Sequence, residues 1–245
     1  MLKQDERLDY LLAEELRIIQ SPSVFSFSLD AVLLARFASI PFKRGTIIDL
    51  CTGNGAIPLF LSARSESRII GVELQERLAD MATRSVTYNQ LDQQIDIIRG
   101  DVKEAPSLLG YEKFDTVTCN PPYFPAHELS DRNISEYHAI ARHELHLTLD
   151  EAVCAASQLL KQRGKAAFVH RADRLMDMLE AMRRNRLEPK RLRLVHPKAG
   201  KEANTLLIEG TKDGKAALKI LPPLIVYNAD NEYTEEVREL LYGKS

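Results

Sequence analysis

From residue 46 onward, apolar runs of about five residues alternate with longer amphipathic stretches. The runs Thr46–Leu50, Arg68–Val72, Ile95–Arg99, Phe114–Cys119 and Lys165–Val169 are predicted strands. Helical periodicity follows them at about Ala56–Arg64, Glu76–Asn89, Leu149–Lys161 and Arg174–Arg184. Alternation of this kind is the pattern of a parallel α/β sheet. The third helix carries a start signal in Thr148-Leu-Asp-Glu151, a capping box, with Gly164 expected as its stop. The last third changes character. Arg191–His196 and Thr205–Glu209 are joined by a loop short enough for an antiparallel pair, Leu224–Tyr227 is a further strand, and Thr234 is expected to cap a C-terminal helix. Ahead of the sheet, residues 1–45 form an N-terminal extension, and residues 46–245 the main domain. In the extension, Leu16–Gln20 and Val24–Phe27 flank Ser21-Pro22-Ser23 as an expected hairpin, and Leu29–Ala38 is an expected helix. About 25 residues between Tyr123 and Thr148 show no such pattern, and structureless stretches of that length in a compact domain tend to be functional.

The first strand runs into Asp49-Leu-Cys-Thr-Gly53-Asn-Gly55-Ala-Ile-Pro58. Glycines at a strand-to-helix turn let the backbone approach a ligand at the helix N-terminus. A dinucleotide site asks for a third glycine where Pro58 stands, and Asp49 would repel a pyrophosphate. A carboxylate there suits the ammonium of a bound amino acid, which S-adenosylmethionine carries, with no phosphate. Two more acids end strands: Glu73, 20 residues after Gly53, where a carboxylate accepts ribose hydroxyls, and Asp101, placed to accept from an adenine amino group. Three acids at three successive strand ends define one ligand edge.

The fourth strand ends in Asn120-Pro121-Pro122-Tyr123. Two prolines stop the strand and stiffen the turn. The exocyclic nitrogen of a planar amine is a poor nucleophile because its lone pair is delocalised. If the Asn120 side-chain oxygen and the Pro121 carbonyl accept its two N–H bonds, the lone pair turns toward a methyl donor and no strong base is needed. Tyr123 is placed to stack on the target base. With Asp49, Gly53, Gly55, Glu73 and Asp101, this motif resembles the class I, S-adenosylmethionine-dependent amino-methyltransferases. Within them the chain is most similar to the bacterial valine-tRNA adenine-N6 methyltransferases. The features that narrow it are the Phe25–Leu34 segment and Arg142-His143-Glu144. The resemblance implies a Rossmann-like, seven-stranded, mostly parallel sheet with its last strand antiparallel. It also implies S-adenosylmethionine as cofactor, a tRNA partner, and closure of the Phe27–Asp30 segment over the methionine end, so that Phe27 and Asp30 join the cofactor-binding set.

Over 245 residues, 33 Lys and Arg meet 35 Asp and Glu, and 44% of residues are hydrophobic, which excludes a disordered or fibrous chain. The charged N-terminus lacks a signal-peptide pattern and no apolar run is long enough for a membrane span. Cys51, Cys119 and Cys154 form no CxxC pair, which fits a reducing cytoplasm. Cys119 lacks the Pro-Cys context of a covalent cytosine methyltransferase and is expected in the core. His143-Glu-Leu-His146 has its histidines three apart where a helical zinc site needs four, so no metal is expected. The net charge of −2 hides a division: residues 161–201 hold 13 basic residues against four acids, a surplus of nine, leaving −11 on the rest. Arg183, Arg184, Arg186, Lys190, Arg191 and Arg193 are the candidate RNA-binding residues. The alternatives are the same chemistry on a protein glutamine amide or on guanine N2 of ribosomal RNA, and a non-catalytic RNA-binding module. A nicotinamide oxidoreductase is disfavoured by Pro58 and Asp49.

Overall fold

The structure, a computed structural model, describes residues 2–11, 15–24, 27–121 and 147–243. Pro122, Tyr123, Arg142, His143 and Glu144, and nearly all of the long 123–148 stretch, lie outside the described residues.

The strands are β1 (Arg7–Leu11), β2 (Leu16–Gln20), β3 (Thr46–Leu50), β4 (Arg68–Glu73), β5 (Ile95–Arg99), β6 (Phe114–Cys119), β7 (Leu160–Arg171), β8 (Leu187–Lys198), β9 (Thr205–Lys212), β10 (Lys219–Ile220) and β11 (Leu224–Tyr227). The helices are α1 (Leu29–Phe37), α2 (Ala56–Ser62), α3 (Glu76–Tyr88), α4 (Ala105–Leu109), α5 (Leu149–Leu159), α6 (Leu175–Arg184) and α7 (Glu235–Tyr242). The main sheet runs β10-β8-β9-β7-β6-β3-β4-β5, with β11 also on β8. From β7 to β5 all pairs are parallel, and β9 is antiparallel to both β7 and β8. This is the expected Rossmann-like frame of seven strands. Two short strands, β10 and β11, lie parallel on β8 and bring the sheet to nine.

Alternate residues of β3, β4, β7 and β9 feed two cores. Ile47, Ile69, Val169 and Leu207 meet α1 and α2 on one face. Ile48, Val72, Val117, Phe168 and Ile208 meet α5 and α6 on the other. Burial on both faces explains why these strands read as continuous apolar runs.

Three local expectations change. The N-terminal hairpin pairs β2 with β1, Arg7 opposite Gln20 through Leu11 opposite Leu16, and Val24 and Phe27 lie in no strand. Ser21 and Ser23 instead donate to Asp5, which Arg77 of α3 also holds, so the Ser-Pro-Ser turn clamps the chain start onto α3. Gly164 does not stop α5. The helix ends at Leu159, while the Thr148–Glu151 capping box forms as expected. Between the pairs Phe114–Leu160 and Thr116–Lys165, residues 161–164 bulge out of register with β6. A Cβ on Gly164 would meet Leu160 Cδ2 and the Lys161 carbonyl, each at 2.9 Å, so the bulge requires the glycine. Thr234 precedes α7, but its hydroxyl donates to the Ile225 carbonyl at 2.7 Å and anchors β11 instead of capping the helix.

Candidate active site

The four strands that carry the chemistry are neighbours in the order β5, β4, β3, β6. Leu50, Val72, Ile98 and Cys119 lie level across them. Glu73 and Asn120 therefore sit one residue beyond that line, Asp49 one before it, and Asp101 three beyond. All four are at the carboxyl edge, where the chain leaves β3 toward β4 on one side and β6 lies on the other. Such a switch point opens the crevice in which α/β sheets bind ligands.

The glycine loop is built by the backbone. Cys51, Gly53 and Gly55 have φ of 58°, 58° and 89°, and Gly55 is the N-cap of α2. A Cβ on Gly55 would come within 3.1 Å of Ala82 Cβ, so this glycine packs the loop down on α3. At Gly53 nothing lies within 4 Å of where a Cβ would be, so this glycine faces open space. Pro58 lies in the first turn of α2, where a missing N–H costs nothing. Asn54 Nδ2 donates to the Ile19 carbonyl at 3.1 Å and ties the loop to the N-terminal hairpin.

Glu73 reaches back over the loop. It accepts from Gly53 N at 2.8 Å and Gln75 N at 2.9 Å, and is 6% exposed. Burial pushes its carboxyl above the usual range, against the backbone donors that favour the anion. Asp49 lies deeper, with 0% exposure. Thr118 Oγ1 donates to one of its oxygens at 2.6 Å and Thr52 Oγ1 to the other at 2.5 Å. Burial pushes the carboxyl up to about 7, the two hydroxyls work against that shift, and the nearby Glu73 adds to it. Asp49 therefore lies beneath the loop, its carboxyl covered by two hydroxyls. Asp101 is one-quarter exposed and accepts from Lys103 N at 2.9 Å.

Side chains alternate along β6: Thr116 donates to the Ser39 carbonyl and Thr118 to Asp49, and Asn120 follows one residue past the strand's end. Asn120 is half-buried and Pro121 buried. Phe27 packs edge-on against Phe60 of α2 with centroids 6.1 Å apart, and Asp30 lies in the first turn of α1. Cys119 is fully buried, as expected of a core residue.

Thr52, Thr118 and Gly71 were missed by the sequence reading. Gly71 stands level with Asp49, and a Cβ there would meet Thr52 Oγ1 at 2.9 Å, so the glycine makes room for the hydroxyl. The available signal was Thr116 and Thr118 at alternate positions of an otherwise apolar strand.

The basic stretch is not gathered at this edge. Arg183 and Arg184 close α6 and Arg186 precedes β8, beside Glu188, Asp150 and Asp213 respectively, with side chains 63–70% exposed. Lys190 donates to the Lys215 carbonyl. Arg191 donates to the Phe37 carbonyl and Ser39 Oγ, and its guanidinium lies 4.4 Å from the Phe37 ring centre. Arg193 donates to the Pro222 carbonyl and Glu236. Arg191 thus ties α1 and Arg193 ties α7 to β8, while Lys190 holds the loop ahead of β10. Among the described residues no group of three or more His, Cys, Asp and Glu could hold a metal, and no helix is long and apolar enough to cross a membrane.

The sequence model of the methyltransferase small domain matches residues 15–185. A protein of Porphyromonas gingivalis named tRNA1(Val) (adenine(37)-N6)-methyltransferase is 30% identical over 93% of this chain and 91% of its own. A protein of the same name from Actinobacillus pleuropneumoniae is 26% identical over 86% of each chain. Among solved structures, a predicted O-methyltransferase from Agrobacterium tumefaciens superposes with a TM-score of 0.69 at 23% identity, covering 88% of this chain and 97% of its own. A geranyl diphosphate C-methyltransferase from Streptomyces coelicolor, solved with S-adenosylhomocysteine, superposes at 0.56 and 15%, covering 74% and 76%. These two likenesses concern the fold alone. With a family match over more than two thirds of its length and relatives spanning nearly all of it, the chain belongs to the methyltransferase small domain family, alongside the proteins named tRNA1(Val) (adenine(37)-N6)-methyltransferase.

Proposed function

We propose that this protein is an S-adenosylmethionine-dependent methyltransferase acting on the exocyclic N6 of adenine in a tRNA anticodon loop, with adenine 37 of a valine tRNA, the position in its relatives' name, as the target. The observation that carries the reading is the placement of Asn120-Pro121 beside the glycine loop, across the switch point from Asp49 and Glu73.

The residues fit the cofactor. Gly53 opens onto free space, Glu73 stands at its N–H ready to exchange that bond for ribose hydroxyls, and Asp101 lies one strand further for the adenine amino group. The negative charge of Asp49 beneath the turn attracts the ammonium of the methionine end, beside Phe27 and Asp30. When bound, S-adenosylmethionine supplies an electrophilic methyl group on a sulfonium. Asn120 accepts one N–H of the target amine through its side-chain oxygen, and the Pro121 carbonyl accepts the other. Both dipoles are set before the substrate arrives, so they stabilise the positive charge that develops on the nitrogen. The surplus proton then leaves to water, and no general base is required. Pro122 stiffens the turn and Tyr123 stacks on the base in this reading. An anticodon loop suits the site because its bases are already unstacked.

Transfer of label from methyl-labelled cofactor to unmodified tRNA tests the reading. Labelled N6-methyladenosine is expected on nucleoside analysis. Label in N2-methylguanosine or in a protein fraction would overturn it.

Among the six candidate basic residues, Arg183, Arg184 and Arg186 are the exposed ones. They lie roughly 25 Å along β8 from the catalytic edge, at about 3.3 Å per residue. Reversing all three to Glu is expected to weaken tRNA binding and flatten its salt dependence by about two to three units of log–log slope. Turnover at saturating tRNA should stay within about twofold of the wild type. An unchanged slope would remove these residues from the RNA surface.

A further inference from the structure

Thr118 is a fully buried hydroxyl in the middle of an apolar sheet, two residues before Asn120. Valine has nearly the same shape and would fill the position without a polar atom to satisfy, so the hydroxyl has to be explained by its partner. That partner is Asp49, on the neighbouring strand, whose other oxygen is held by Thr52 of the glycine loop. The two hydroxyls are the donors that the structure gives this carboxyl. Asp49 faces the Glu73 carboxyl from β4, which opposes its ionisation as burial does.

We propose that Thr118 is a positioning residue of the cofactor site: its hydroxyl holds the Asp49 carboxylate in place beneath the glycine loop as the counter-charge to the ammonium end of S-adenosylmethionine, and in the same bond fastens the Asn120 strand to β3. The inference rests on the cofactor reading above and deepens it. Loss of this donor leaves a buried carboxyl with one hydroxyl partner against the full burial penalty, so it holds its proton at neutral pH and the attraction for a cation disappears. The effect is specific to ligands that carry the ammonium. A residue that merely kept the fold intact would influence all adenosine ligands alike.

Titration calorimetry at neutral pH separates the two. The probes are S-adenosylhomocysteine, which has the amino-acid end, and 5′-deoxy-5′-methylthioadenosine, which keeps the adenosine and thioether and lacks that end. For Thr118→Val, S-adenosylhomocysteine should bind about tenfold or more weakly, the loss expected for one hydrogen bond to a charged group. Methylthioadenosine should change less than about twofold. Thr118→Ser, which keeps the hydroxyl, should restore the wild-type affinity. Thr52→Val, at the other oxygen, should give the same split between ligands and carries the test if Thr118→Val does not fold. Equal weakening of both ligands, or an unchanged S-adenosylhomocysteine affinity in a folded Thr118→Val, would overturn the proposal. A wild-type protein that binds neither ligand would overturn the cofactor reading itself, which is a different result.

Discussion

Asn120→Ala is expected to lower turnover by roughly 10²-fold or more, the scale of losing one preorganised dipole from a transition state. Cys119 is level with Leu50 and fully buried, so Asn120 is the first residue past the sheet, next to the strand that carries Asp49. Alanine leaves the turn to Pro121 and Pro122, which restrict the backbone irrespective of their neighbour. It removes only the acceptor, so one N–H of the target amine loses its partner and the lone pair is no longer aimed. S-adenosylmethionine affinity should stay within a few-fold, because Gly53, Glu73 and Asp49 are untouched. Single-turnover methylation, measured beside calorimetry of the cofactor, checks both halves. Near-wild-type turnover would remove Asn120 from the catalytic role.

Asp49→Asn should pull stability and function in opposite directions. In the unfolded chain this carboxyl titrates near its ordinary value of 3.8, and in the fold burial moves it to about 7. Between those two values the folded protein binds more protons than the unfolded one, so stability falls as pH rises across that window. Three units correspond to at most about 4 kcal/mol, present at pH 4 and lost by pH 8. The amide has the same shape and no charge, and either hydroxyl can turn to meet it. Thermal unfolding should therefore show Asp49→Asn more stable than the wild type by about 2–4 kcal/mol at pH 8, with the difference vanishing near pH 4. Cofactor binding at pH 8 should weaken at least tenfold, because the counter-charge is gone. A variant less stable than wild type at pH 8 would mean that Asp49 is not held as a costly buried charge.

Both predictions draw on residues that the sequence made visible for different reasons. Gly53, Gly55 and Asn120-Pro121-Pro122 announced themselves because glycine and proline restrict or free the backbone locally, and that information needs no neighbours. The strands β3, β5 and β6 were legible to the residue because each apolar run has abrupt ends. The partner of β2 was not legible. Arg7–Leu11 and Val24–Phe27 were both available to pair, and the choice was made by contacts far along the chain: Ser85 Oγ accepting from Ile19 N, and Asn89 bonding both the amide and the carbonyl of Arg17.

The same distinction governs the charges. Arg183, Arg184, Arg186, Lys190, Arg191 and Arg193 look alike as a run of letters. In the fold the first three are exposed, while Arg191 lies over the Phe37 ring and Arg193 reaches Glu236 of α7. A charge count along the chain cannot report what lies 40 or 150 residues away, and that distance decides whether a guanidinium meets phosphate or a carbonyl.

Local sterics and spacing along the chain were enough to dictate the alternation of strands and helices, the backbone of the glycine loop, the acids at successive strand ends and the rigid turn at Asn120. Packing across strands was needed to bury Asp49 under Thr52 and Thr118, to keep Gly71 bare for Thr52, and to engage Arg191 and Arg193 with α1 and α7. Burial and hydrogen-bond partnership are properties of pairs brought together across strands, and no single position carries them.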